Sequence, residues 1–246
     1  MLSLLVVLAA APVPVSLEQY DPEKPLQRAD YEGRSLRELT LLRNISYARA
    51  GNPFRRKWLN VWFTKQKWYE PREVMDESLL TDTARANADA LGAYESSLTA
   101  EELTKRRDAV RARVKVKATP EDEIELRLLS VRLGGWAGEG AAPADLNALE
   151  DPTKLDKLLK LSDLDDYSPR DLKLLRNTVF ARRGRPFKTP LVQGHFKTVA
   201  WYKADAEYKD ARLTAIDKKN VQLILSLENK LRPPKDEPPD AFYTAA

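Results

Sequence analysis

Two stretches of this 246-residue chain decide its reading: LRNISYARAGNPF at residues 42–54 and LRNTVFARRGRPF at residues 175–187. They lie 133 residues apart, and at that shift Ser35–Glu95 aligns with Ser168–Glu228 without a gap. Of the 61 aligned positions 19 are identical, about 31%, against the few per cent that chance gives. The matches run on beyond the quoted stretches. Phe63 recurs as Phe196, Trp68-Tyr69 as Trp201-Tyr202, Asn87 as Asn220 and Glu95 as Glu228. One structural unit has been duplicated.

Each copy reads as helix, aromatic loop, helix. Ser35 with Glu38 three residues on is a capping box, and Ser168-Pro169 with Asp171 is its counterpart. Leu39, Leu42 and Ile45, and likewise Leu172, Leu175 and Val179, fall near one helical face. Gly51 and Gly184 suit the left-handed residue that ends a helix, and Pro53 and Pro186 stop any continuation. The closing helices are predicted from Thr81 to Ser96 and from Thr214 to Lys230.

Outside the copies, Leu2–Ala11 is an apolar run too short to span a bilayer and of the length of a signal-peptide core. No Lys or Arg precedes it, and a cut near Val15 or Ser16 is the expected one. Thr99–Val116 and Pro120–Leu133 read as two further helices, Gly134–Ala144 as a flexible break, and Leu155, Leu158, Leu159 and Leu161 as a short amphipathic helix. The predicted fold is therefore mainly α, two small helix–aromatic loop–helix repeats joined by a helical spacer. Its layout is a signal peptide at 1–16, a linker at 17–34, repeat one at 35–97, a helical spacer at 98–165, repeat two at 166–231 and a disordered Pro-rich tail at 232–246.

Composition closes off several chemistries. There is no cysteine and one histidine, so disulfides, thiol nucleophiles, lipoprotein-type anchors and sites needing two histidines are excluded. No metal or cofactor set is recognisable, and none is expected. Glu95 and Glu228 recur, yet no second carboxylate recurs that could pair with them for glycosidase-type chemistry.

Charge is uneven. Copy one has 10 basic and 8 acidic residues (+2), copy two 13 and 6 (+7), and the remainder 18 and 23 (−5). Ser46–Tyr69 and Val179–Lys203 contain no acid at all. The candidate ligand contacts are therefore Arg49, Arg55, Arg56, Trp58, Lys65, Lys67 and Tyr69 in copy one, and Arg182, Arg183, Arg185, Lys188 and Tyr202 in copy two. Arginine beside aromatic rings can hold an anionic or sugar-like ligand, or single-stranded nucleic acid.

At these residues the repeat resembles the YARHG domain, a small module of bacterial exported proteins. Its motif reads Tyr47-Ala48-Arg49-Ala50-Gly51 in copy one and Phe180-Ala181-Arg182-Arg183-Gly184 in copy two, each preceded by Leu-Arg-Asn and followed by Pro-Phe. The fourth letter, His, is replaced by Ala50 and by Arg183. The resemblance implies an extracytoplasmic, non-enzymatic module found beside other envelope domains, secreted or periplasmic.

Structural roles compete with functional ones. Phe54, Phe63, Phe187, Phe196 and one ring of each Trp-Tyr pair are expected in the core. Trp58 and Trp62 align with Leu191 and His195, so copy one carries an aromatic surface that copy two lacks. Arg49 and Arg182 are expected to cap their helices or to pair with Glu95 and Glu228. Asn44 and Asn177 are expected to bond loop backbone, and His195 to be neither ligand nor catalyst. The functional expectation is a binding protein whose partner is an anionic envelope polymer or an acidic protein. Nucleic-acid binding is the rival, at odds with an export signal. A structural spacer and a carboxylate-dependent hydrolase are further alternatives.

Overall fold

The computed structural model describes residues 15–136, 145–165 and 167–231. The expected signal-peptide core, the tail at 232–246 and most of the Gly- and Ala-rich stretch lie outside the described residues.

Ahead of copy one lies α1 (Arg28–Tyr31), and copy one contains α2 (Leu36–Arg49), α3 (Lys57–Phe63) and α4 (Asp82–Ser97). The spacer contributes α5 (Ala100–Val116) and α6 (Pro120–Arg132), and copy two α7 (Pro169–Ala181), α8 (Pro190–Lys197) and α9 (Ala215–Lys230). No strand occurs among the described residues, and no helix among them is long and apolar enough to cross a membrane.

The caps sit where the sequence places them. Ser35, Ser168 and Thr214 each accept the amide three residues on, and Glu38, Asp171 and Asp217 answer back to the cap amide. Each such cap is worth about 1 kcal/mol. Gly51 (φ +83°) and Gly184 (φ +90°) then turn the chain out of α2 and α7. Asn52 N–H donates to Tyr47 O at 3.0 Å and Arg185 N–H to Phe180 O at 3.2 Å, satisfying the last helical carbonyls.

Two local expectations are revised. The aromatic loop holds a short helix in both copies, because Leu59 and Phe63, and Val192 and Phe196, stand four apart and bury one face, with Pro190 opening α8. The leucines from 155 to 161 do not form one helix. Two 3-10 turns, Pro152–Asp156 and Leu161–Leu164, bury Leu155 and Leu164 and leave Leu158 and Leu161 exposed.

Helix α4 packs across α2 as α9 packs across α7. The spacer joins copy one, since Leu103, Val110, Leu126, Leu129 and Leu133 share a core with Leu39, Leu42 and Phe63. Its Glu125 caps α2 from outside, accepting Leu36 N–H at 3.0 Å and Arg37 N–H at 2.7 Å. Copy two builds a second core around Leu172, Leu175 and Ile224 with Leu155, Leu164 and Tyr167.

Copy two also touches the spacer. Thr198 Oγ1 donates to Arg132 O at 2.6 Å, and Trp201 Nε1 donates to Gly134 O at 2.6 Å. Gly134 has φ +82°, and a Cβ there would sit 2.7 Å from Trp201 Nε1. The start of the expected flexible break is thus a point of close backbone approach.

Candidate functional site

The Arg-Asn that precedes the motif is structural in both copies. Arg43 NH1 donates to Glu95 Oε2 at 3.0 Å, and Arg176 Nε donates to Glu228 Oε2 at 2.7 Å. This corrects the expected partner: the arginine facing each closing-helix glutamate is the one before the motif, not the one within it. Arg49 and Arg182 lie at the helix ends, beyond that contact. Arg49 instead stacks over Trp68, its guanidinium 4.1 Å from the ring centroid, and Arg182 pairs with Asp156 at 2.5 Å. Asn44 and Asn177 donate to the helix carbonyls of Thr40 and Lys173, at 2.8 and 2.7 Å, rather than to a loop.

The rings divide as their neighbours require. Phe54 stacks on Phe63 with centroids 4.4 Å apart, and Phe187 on Phe196 at 4.9 Å. Tyr69 and Tyr202 turn inward, donating to Asn52 O at 2.9 Å and Arg185 O at 2.7 Å, while Trp68 and Trp201 stay nearer the surface. A buried ring of this size contributes about 1.5–3 kcal/mol.

A polar clamp that the sequence reading missed closes each unit. Asn87 Oδ1 accepts Leu26 N–H at 2.9 Å, and its Nδ2 donates to Pro22 O at 3.0 Å and Lys24 O at 2.9 Å. Asn220 repeats this with Leu159 N–H, Leu155 O and Lys157 O at 2.9, 3.2 and 2.9 Å. Every partner is displaced by the same 133 residues. The duplicated unit therefore begins upstream of Ser35 and Ser168, within the segments read as linker and spacer.

The other candidate contacts fall into two groups. Arg56 pairs with Asp171 across the copies, Arg183 with Asp217 at 2.9 Å, and Arg185 stacks over Phe180 at 4.5 Å. Arg55, Lys65, Lys67 and Lys188 are exposed and have no ion pair among the described residues. Of the twelve, the structure gathers Arg56, Trp58 and Lys65 into one place, a cleft of about 890 Å³ between copy one, the spacer and copy two.

Charged residues punctuate that cleft along its length, among an otherwise largely apolar lining. Helix α6 lines it, with Glu121 and Glu123 near one end, Arg127 midway and Arg132 at the other, about 16 Å away at 1.5 Å per residue. At the Arg132 end Glu95 faces three guanidiniums: Arg43 at 3.0 Å, Arg132 at 3.4 Å and Arg170 of copy two at 3.6 Å. Burial opposes its charge, but the arginines outweigh burial and hold its carboxyl down at about 2. His195, buried beside them, is pushed down to about 3, first by burial and then by Arg132 and Arg170. It is a neutral core residue here. The described residues hold no group of three or more His, Asp or Glu placed to bind a metal ion.

Two regions of the chain, residues 16–96 and 150–229, match the family model described as the YARHG domain. The chain belongs to the YARHG domain family. No curated protein and no solved structure matches it. YARHG domains generally occur in extracytoplasmic proteins. Both matched regions take in the upstream segment that each asparagine clamps. The YARHG fourth letter, Ala50 in one copy and Arg183 in the other, lies just before the positive-φ glycine; Arg183 reaches Asp217 in the first turn of its closing helix, and Ala50 packs with Leu80 and Ala88.

Proposed function

We propose that this YARHG protein is a non-enzymatic binding module of the bacterial cell envelope, secreted or periplasmic, whose exposed cations contact an anionic polymer or an acidic protein. One observation carries the reading. Arg49, Arg55, Lys57, Lys65 and Lys67 in copy one, and Lys188, Lys197 and Lys203 in copy two, have no carboxylate partner among the described residues. Such solvated cations draw a polyanion over a distance set by ionic strength. Binding fits better than catalysis because the buried cleft carboxylates are already engaged. Glu95 and Asp171 face arginines, and Glu150 accepts the Asn147 amide at 2.7 Å and faces Arg127 at 3.5 Å.

The test is binding of the full chain to purified anionic wall polymer across a salt series. Affinity is expected to fall steeply with salt and to drop in the variant R55Q/K67Q/K188Q/K203Q, whose side chains lie outside the cleft. Undiminished binding by that variant overturns the reading.

A further inference from the structure

We propose that the Arg132 end of the inter-copy cleft binds the acidic group of a sugar-like ligand, a carboxylate or phosphate on a pyranose ring, with Trp58 and Trp62 flanking the ring. This is a second site, bordered by Lys57 and Lys65 but apart from the other surface cations above. A cleft of about 890 Å³ is the size of a small-molecule site and would take one or two sugar rings rather than a polymer strand.

Three observations converge there. First, two of the three guanidiniums around Glu95 share one oxygen, Oε1, at 3.4 and 3.6 Å. The Nε atoms of Arg132 and Arg170 are buried with no hydrogen-bond partner, and the Arg132 side chain is only 7% exposed. Guanidinium is built to grip a carboxylate or phosphate with two parallel bonds, and here that capacity is underused. Arg56 and Arg170, at 18% and 13% exposure, are the groups an incoming anion meets, with Arg132 supplying field from behind.

Second, Trp58 and Trp62 stand four residues apart on α3, on one helical face, and both line the cleft half-buried. Their counterparts in copy two are Leu191 and the buried His195, so the shared fold does not require these rings. Third, the rest of the lining carries Glu121, Glu123, Asp145, Asp163 and Asp165 around Arg127, which pairs with Asp145 at 2.7 Å and Glu123 at 3.4 Å, so acids outnumber cations there and can accept bonds from hydroxyl groups. Such a gradient orients a ligand acidic at one end and hydroxylated at the other.

The experiment uses the full chain, calorimetry and tryptophan fluorescence, with cellobiose, cellobiouronic acid and glucose 6-phosphate as probes. The two acidic probes are expected to bind about tenfold or more tighter than cellobiose, the margin a charge-assisted contact supplies. Which of the two binds tighter separates carboxylate from phosphate recognition. W58L/W62H, which installs the copy-two residues, and R170Q are each expected to weaken the acidic probes by about tenfold. R55Q/K67Q/K188Q/K203Q should leave them unchanged while losing polymer. If R170Q does not fold, W58L/W62H still decides. Equal binding of acidic and neutral probes, no binding at about 10 mM, well beyond the millimolar range of weak ligands, or unchanged binding in a folded W58L/W62H overturns the proposal.

Discussion

Arg183 grips Asp217 with two hydrogen bonds, Nε to Oδ2 at 2.9 Å and the NH2 nitrogen to Oδ1 at 3.3 Å, and copy one has alanine at both positions, Ala50 and Ala84. Both alanines are buried. The two copies have thus reached two solutions at the motif's fourth letter, an ion pair in copy two and, in copy one, a buried alanine packed with Tyr47, Leu80 and Ala88. Asp217 also closes the capping box of α9, accepting Thr214 N–H at 2.8 Å.

Asp217→Ala should therefore cost about 2–3 kcal/mol, one part from the cap and one from the stranded arginine. Arg183→Ala should cost less, since its side chain is partly solvated. The double variant, which reproduces copy one, should be more stable than the sum of the single losses predicts. Denaturant melts of the four proteins measure that coupling.

Glu95→Gln should be more damaging than Glu228→Gln. Glu95 balances three guanidiniums inside the molecule, and removing its charge leaves them to repel one another, a loss of about 3–5 kcal/mol. Glu228 faces Arg176, which is 23% exposed and can turn to water, so about 1–2 kcal/mol is expected. Equal losses in chemical denaturation would contradict this ranking.

Acid should weaken the fold in two stages. His195 is neutral when folded, its pKa lowered to about 3, so its contribution is intact above about pH 6.5 and shrinks as pH falls below that. Glu95 is held at about 2, so its contribution is intact above about pH 4.5 and is lost on the way down to pH 2. Each group adds a slope of up to about 1.4 kcal/mol per pH unit within its window. His195→Gln should flatten stability between about pH 6.5 and 4.5 and leave the steeper acid limb. A melting series across pH checks both limbs.

Asn220→Ala should cost about 2–4 kcal/mol, since one buried amide satisfies three backbone groups and nothing nearby replaces it. Asn220→Asp should be no better, because a carboxylate cannot donate to Leu155 O or Lys157 O. Amide hydrogen exchange should localise the damage, with Leu159 N–H losing its protection.

Much of the unit was legible because its signals are local. Ser35, Gly51, Thr81 and their counterparts fix helix ends by backbone chemistry that neighbours alone determine. Arg43 shows what was readable and missed. It stands four residues after Leu39 and seven after Leu36, inside the buried stripe of α2, as Arg176 stands four after Leu172. A cation on an apolar face demands a buried acid, and the recurring glutamate of the closing helix was the available one. The asparagine clamp left a fainter trace, an identical polar residue on the buried face of both closing helices. The cleft was not legible. Arg132 and Gly134 come from the unduplicated spacer, and only the packed chain brings them against Arg170 and Trp201.

The contact between the copies has a direction. Glu95 of the first unit meets Arg170 of the second, and the strip that joins them, from Arg132 to Gly134, occurs once. Lengthening the chain by copying the motif-bearing unit alone would add a third member with no such strip to seat it. A further unit seated in the same way would need its own copy of the spacer, so that segment is part of the joint and not only a connection.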